Sequence, residues 1–329
     1  MVMNVLVCQE VMLTADIAAM WDSVVYNPGF IVVKPTNASK QVYLLIKKIT
    51  RRSPTTDDQT ALNRAINIFR SQRLKLNLTR LNESRFLGGW DYFEKPQRWF
   101  APKEKCNSQK QDNCAVVVHN TWIVTKAAKV YRFREHLMWM YDGDDKYFSS
   151  NTRLYLMYNN HSPSTITRRM ITKSEISALK TALTIGYLLN RTVILPRFHS
   201  TNMAHEVPLN YILHVKSFDD EFAGAYRENS FLRHPKVPLD VKVRLSAALH
   251  QATTDGYCNL TLFSGNVAVS SADILHQFGH VNHQVLNFGS LHCVTIVLRN
   301  SRTNVAFHKK LSQAFFRSNY RQQKRYSRW

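Results

Sequence analysis

Three short groups of polar residues give this chain the makings of a site. Asp57, Asp58 and Gln59 open a segment in which Leu62, Ala65, Ile66 and Phe69 recur at helical spacing. Asn27-Pro28-Gly29 interrupts the β-branched run from Val24 to Val33, and His119-Asn120 closes the apolar run Val116-Val117-Val118. Carboxylates and carboxamides grip hydroxyl-rich ligands, and a neutral imidazole moves protons or ligates a metal. One aspartate of the pair serves as the helix N-cap. The other, with Gln59, then projects from a helix N-terminus, a good place to hold a hydroxyl-rich substrate. His119 reads either as a structural histidine or as a ligand. Asn120 and Trp122 beside it are the polar and aromatic company that sugar sites keep.

These groups need elements to hold them. The run from Val24 to Val33 predicts two short strands around a kink, with Gly29 open to close approach by backbone or ligand. Val116 to Val118 predicts a buried strand with His119 at its end, and strand ends are where open α/β sheets bind ligands. Val130 to Tyr141 predicts a helix, and the polar stretches 142–149 and 159–164 put a boundary near residue 160. Thr172-Lys173-Ser174-Glu175 has the form of a capping box, opening a helix that stops at Asn190. Thr192 to Leu195 is then a strand, an αβ unit of Rossmann-like character without a Gly-x-Gly-x-x-Gly. Leu239 to Gln251 predicts a helix, Asn259 to Phe263 and Cys293 to Leu298 predict strands, and Val305 to Phe316 predicts a last helix. Asp219-Asp220-Glu221 and His276, His280 and His283 read as solvated groups.

In order and spacing, four pieces resemble the nucleotide-diphospho-sugar transferase domain over about residues 14 to 140. They are Ala15-Asp16-Ile17, Asn27-Pro28-Gly29-Phe30 with Lys34-Pro35-Thr36, Asp57-Asp58-Gln59 with Ala61-Leu62-Asn63, and Val116-Val117-Val118-His119-Asn120. The resemblance implies a GT-A-like α/β fold that moves a sugar from a nucleotide diphosphate, UDP by expectation, to a glycan or glycoprotein. It implies Asp58 and Gln59 as the catalytic pair facing the transferred sugar or the acceptor. Asn27, Gly29, Asp57 and Asn120 would line the donor site. A divalent metal, Mn²⁺ by expectation, would meet the charge that gathers on the leaving diphosphate, with His119 among its ligands. The expected compartment is the Golgi.

The same resemblance calls for an Asp-x-Asp upstream of Ala15, and the chain has none there. Asp142-Gly143-Asp144-Asp145 fits the letters but follows the closing strand in a turn-like stretch. The expectation is therefore a GT-A-like domain over residues 1–160, incomplete at its amino end, with an inactive binding remnant as the alternative to an enzyme. Residues 161–329 are expected to form a second, Rossmann-like α/β domain. The stretch from Ala182 to Pro196 resembles fucosyltransferase-like domains of the GT-B type, which implies that Arg197 or His199 faces a diphosphate.

Composition narrows the classes. Hydrophobic residues at 44% and aromatic residues at 11% exclude a disordered chain. A net charge of +21 predicts attraction to anions: a nucleotide diphosphate, acidic glycans, a membrane surface or nucleic acid. The basic tail from Arg317 to Arg328 interleaves with Tyr320, Tyr326 and Trp329, yet no nucleic-acid-binding signature accompanies it. Among five cysteines without metal spacing, Cys106 and Cys114 flank a polar loop they could close as a disulfide. Sequons begin at Asn37, Asn77, Asn82, Asn160, Asn190 and Asn259 and permit passage through the secretory pathway. No apolar run is long enough to span a bilayer.

Overall fold

The computed structural model describes residues 14–22, 24–94, 115–123, 125–159, 168–199, 206–247, 249, 267–292 and 294–326. The chain divides into two compact α/β units, Met1–Ile123 and Val124–Trp329.

In the first unit β1 (Ile17–Asp22) pairs antiparallel with β2 (Val25–Val33) and parallel with β3 (Leu78–Arg80). A second parallel pair joins β4 (Phe86–Gly88) to β5 (Val117–His119). Strand β1 is buried from Ile17 to Met20, and its alternation explains why. Ile17 packs with the helices, alongside Val42, Leu62, Ile66 and Phe69. Ala18 and Met20 pack in another cluster with Phe86 and Val117. The helices are α1 (Asn37–Arg52), capped by Thr36 in a capping box with Ser39, and α2 (Asp58–Ser71). The apolar residues of α2 are the buried ones, as their spacing predicts.

β2 is one strand, not two. Its pairing with β1 steps from Ala19↔Ile31 to Met20↔Asn27, so Pro28, Gly29 and Phe30 are left over as a bulge. The expected kink is there, absorbed within one continuous strand.

The second unit opens with α3 (Lys126–Glu135) and β6 (Tyr155–Asn159), followed by α4 (Arg168–Leu188), β7 (Thr192–Ile194), and the paired β8 (Phe198–His199) and β9 (Glu206–Val207). Then come α5 (Leu209–Ile212), α6 (Val215–Phe222), β10 (Tyr226–Arg227), β11 (Leu245–Ala247) and β12 (Val267–Ser270). The chain goes on through α7 (Ser271–Phe278), β13 (Val285–Ser290), β14 (Val294–Val297) and α8 (Arg302–Tyr326). Five of these strands make an all-parallel sheet in the order β10-β7-β6-β13-β11. The order reverses between β6 and β13, so that is the sheet's switch point. Arg191, just ahead of β7, is buried and donates to the carbonyls of Tyr155, Val281, His283 and Gln284, clamping β6 to the entry of β13.

Several expectations change. The division falls at 123/124 rather than near 160, because β6 is the central strand of the second sheet and belongs with it. Helix α4 starts at Arg168, so Thr172 lies inside it, and Glu175 bonds His199 instead of closing a capping box. The helix expected from Val130 runs instead over Lys126–Glu135. Residues 239–247 form turns and the short β11 rather than a helix. As expected, His276 and His280 are exposed; the helix α7 ends at Phe278 with Gly279 as its C-cap, so the two do not share it. As expected, Asp142 is a turn residue: its carboxylate accepts from the backbone of Phe148 at 2.6 Å and of Ser149 at 3.3 Å. All five cysteines, the sequons at Asn160 and Asn259 and the strand expected at 259–263 lie outside the described residues. Among the described residues no helix is long and apolar enough to cross a membrane.

Candidate functional site

The β2 bulge and the end of β5 meet at Gly29 and His119. A Cβ at Gly29 would fall 1.9 Å from His119 Nδ1 and 2.0 Å from Cε1, so the imidazole occupies the space a side chain would take. Only glycine allows this approach. The bulge itself is fixed from within: Asn27, buried, accepts from the Gly29 N–H at 2.8 Å through Oδ1 and donates to Asp22 Oδ2 at 3.2 Å. Asp22 Oδ1 accepts from the indole N–H of Trp122 at 3.3 Å. One carboxylate at the end of β1 thus ties the bulge to the segment that follows His119.

That segment is strained and aromatic. Trp122 has φ of 60°, a backbone state that a bulky residue adopts only when its surroundings require it. The surroundings are close: the Gly89 N–H donates to Thr121 Oγ1 at 2.7 Å, and a Cβ on Gly89 would meet the Thr121 carbonyl oxygen at 2.1 Å. Directly after Gly89 comes a π-helical turn, Trp90–Glu94, a rare geometry that recurs at functional sites. It presents Trp90, 47% exposed, at 5.6 Å from Trp122. The site therefore offers an imidazole, a carboxylate and two indoles around one glycine.

The third group is placed by Asn63. Its carboxamide accepts from the Tyr26 N–H at 3.0 Å and donates to the Tyr26 carbonyl at 2.7 Å and the Gln59 carbonyl at 2.8 Å. This pins the first turn of α2 beside Asn27. Asp57 is the N-cap, accepting from Thr60 N–H and Oγ1 at 2.8 Å, and those bonds hold its carboxyl below the usual range. Asp58, also exposed, accepts from the Gln59 N–H at 2.9 Å. Gln59 is half-buried. Of the predicted residues, Asn27, Gly29 and His119 are brought together, with buried Asn120 following His119 in the chain. Asp57 is a cap, and Asp58 and Gln59 stand at the adjoining helix terminus. Asp22, Asn63 and Trp90 join them: Asn63 belongs to the Asp57–Asn63 stretch, whereas nothing in the sequence marks Asp22 or Trp90.

His119 Nδ1 is shielded from solvent against the bulge. Among the described residues no three His, Cys, Asp or Glu side chains gather as a metal set. The described donor set around His119 therefore does not fit a resident ion by itself, and the chemistry below takes no step through one.

No curated protein and no solved structure gives a match to the chain. The second half's likeness to fucosyltransferases thus gains no support there. One protein family does match, over a segment that covers nearly all of the unit holding Gly29, His119 and Trp122 and ends in the first helix of the next. Residues 5–133 match the nucleotide-diphospho-sugar transferase family.

Proposed function

We propose that the first unit binds a nucleotide-diphosphate sugar and that the chain is a glycosyltransferase acting on a glycan or glycoprotein. The observation that carries this reading is the convergence of His119 and the Trp90–Trp122 pair on the Gly29 bulge, inside the segment matched to the family. The flat indoles suit the apolar face of a pyranose ring, and Trp122 is held in place by Asp22. In transfer, the bond from the anomeric carbon to the diphosphate oxygen breaks while an acceptor hydroxyl attacks that carbon. His119, at the end of β5 against the bulge, would contribute its imidazole to the donor site. Gln59 and Asp58, at the positive end of α2, are placed to orient sugar or acceptor hydroxyls. The bulge and the pinned helix terminus supply preorganisation, which is worth most when its parts are rigid. UDP as carrier, Mn²⁺ as assisting ion and a Golgi setting complete the proposal. Exposed Asn37, the start of a sequon, leaves room for a glycan there.

A second reading has an observation of its own. Asp57 and Asp58 both spend a carboxylate oxygen on N–H groups of the first turn of α2, the use a non-catalytic helix start makes of them. On that reading the chain binds donor or glycan without turnover. Release of UDP from a panel of UDP-sugars, with and without Mn²⁺ and oligosaccharide acceptors, separates the two. Turnover that Trp122→Ala lowers mainly through KM supports the enzyme. Saturable donor binding with no release of UDP supports the binding module.

A further inference from the structure

The second unit holds a cavity of about 400 Å³, lined by one face of α3 and by Tyr147, Asp219 of α6 and Tyr226 of β10. That volume lies in the range of small-molecule sites. Tyr131 and Arg134 are three apart on α3, so their side chains leave the helix on the same side. Three phenols wall the cavity, and two are engaged. Tyr147 Oη donates to Glu228 Oε2 at 2.7 Å, and Tyr226 Oη donates to Asp219 Oδ1 at 3.1 Å. Tyr131, 5% exposed, is the third; its Oη is buried and has no hydrogen-bond partner among the described residues. Nor has Arg134 Nε, although the guanidinium lies over the Tyr147 ring with Cζ 3.4 Å from its centroid. Burial holds the Tyr131 phenol well above its ordinary range, so the group keeps its proton. The cavity is thus lined by two buried donors that lack an acceptor, a costly state when nothing fills it.

We propose that this cavity binds a small hydroxylated carboxylate, whose acceptor oxygens meet Tyr131 Oη and Arg134 Nε. The site does not rest on the donor site of the first unit, since every residue lining it belongs to the second. A carboxylate brings two acceptor oxygens and a charge, and its bonds to a guanidinium are among the strong ones. The charge also balances: Lys126 and Arg134 against Asp219 leave the lining one positive charge in excess, with exposed Lys126 at the rim. Asp219 spends Oδ1 on Tyr226 and would accept a ligand hydroxyl through Oδ2. The rings of Tyr131 and Tyr226, with centroids 6.0 Å apart, give a flat body apolar walls to lie against.

The test is calorimetric titration of the full chain with sodium glucuronate, whose ring is saturated, and separately with 4-hydroxybenzoate, whose ring is aromatic. Glucose serves as the uncharged comparison. Tyr131→Phe removes one oxygen that bonds no described residue, so thermal melts without ligand should match the wild type. Binding should nevertheless weaken by about tenfold, the loss of one hydrogen bond to a charged group. Arg134→Gln should weaken it at least as much, and Tyr131→Phe decides the matter if that variant is destabilised. Lys47→Ala and His119→Ala should bind as the wild type does. The acid that binds more tightly tells which kind of ring the walls select. The proposal is overturned by absence of saturable binding of either acid, or by glucose binding as tightly as either. It is overturned equally by wild-type binding in Tyr131→Phe, or by a similar loss in Lys47→Ala, which assigns the attraction to net charge.

Discussion

Replacing Gly29 by alanine adds one carbon to the place the His119 ring occupies. The added Cβ would sit 1.9 Å from Nδ1, 2.0 Å from Cε1 and 2.4 Å from Cγ. An ordinary contact is about 3.5 Å, so ring and strand must separate by roughly 1.5 Å. The φ of Gly29 is not positive, so alanine meets no backbone penalty there and the effect is steric. Overpacking of this size costs about 1–3 kcal/mol when the surroundings cannot yield, and close to nothing when the ring swings outward. Either way His119 leaves its place, and a displacement of about 1 Å at a reacting group lowers turnover by about a hundredfold. The assay pairs chemical denaturation with donor binding for Gly29→Ala, His119→Ala and the double variant. Truncating His119 removes the clash, so the cycle should show coupling on the order of 1–3 kcal/mol in stability or a comparable non-additivity in binding. Additive effects, with donor binding retained in Gly29→Ala, would refute the claim that this approach builds the site.

Other outcomes follow from the same contacts. Asp22→Asn weakens the bonds to Trp122 and Asn27 together and should lower donor affinity about tenfold, more than it lowers stability, as calorimetry and thermal melts will show. Burial above all, and next among the raising effects the neighbouring Glu228, push the Glu135 carboxyl up to about 8 from an ordinary 4.5. A raised folded value means that its stabilisation is fully present below about pH 4.5 and is lost as pH rises through about 8. At about 1.4 kcal/mol per pH unit the upper figure is roughly 5 kcal/mol. Denaturation between pH 5 and 9 should therefore show the wild type losing stability relative to Glu135→Gln; parallel curves would contradict this. Arg191→Met leaves four carbonyls without their donor and should cost about 2–4 kcal/mol in urea unfolding, with donor binding in the first unit unchanged.

Local periodicity carried much of the fold. The apolar spacing of α2, the β-branched runs that became β2 and β5, and the stop at Asn190, which adopts a left-handed φ of 51°, were legible because each depends on nearby residues. What was not legible depends on distant ones. Glu175 has the spacing of a cap partner because Thr172 lies three residues before it; it instead bonds a backbone N–H 24 residues away. The order β10-β7-β6-β13-β11 rests on pairings that leave no mark in strands of two to six residues. In the site, Gly29 and His119 were named separately, but their contact depends on a bulge whose register only the β1–β2 ladder fixes. Trp90 was invisible because its display depends on a π-helical turn packed through Gly89 against Thr121.

The most direct test of the central claim is calorimetric titration of the full chain with UDP, with and without Mn²⁺, at 150 mM salt, repeated on His119→Ala and Trp122→Ala. The account predicts saturable binding in the wild type that both substitutions weaken by about tenfold or more while thermal melts stay near the wild-type value. Absence of binding with or without the ion, or binding that neither substitution alters, would contradict a nucleotide-sugar site at the Gly29 bulge.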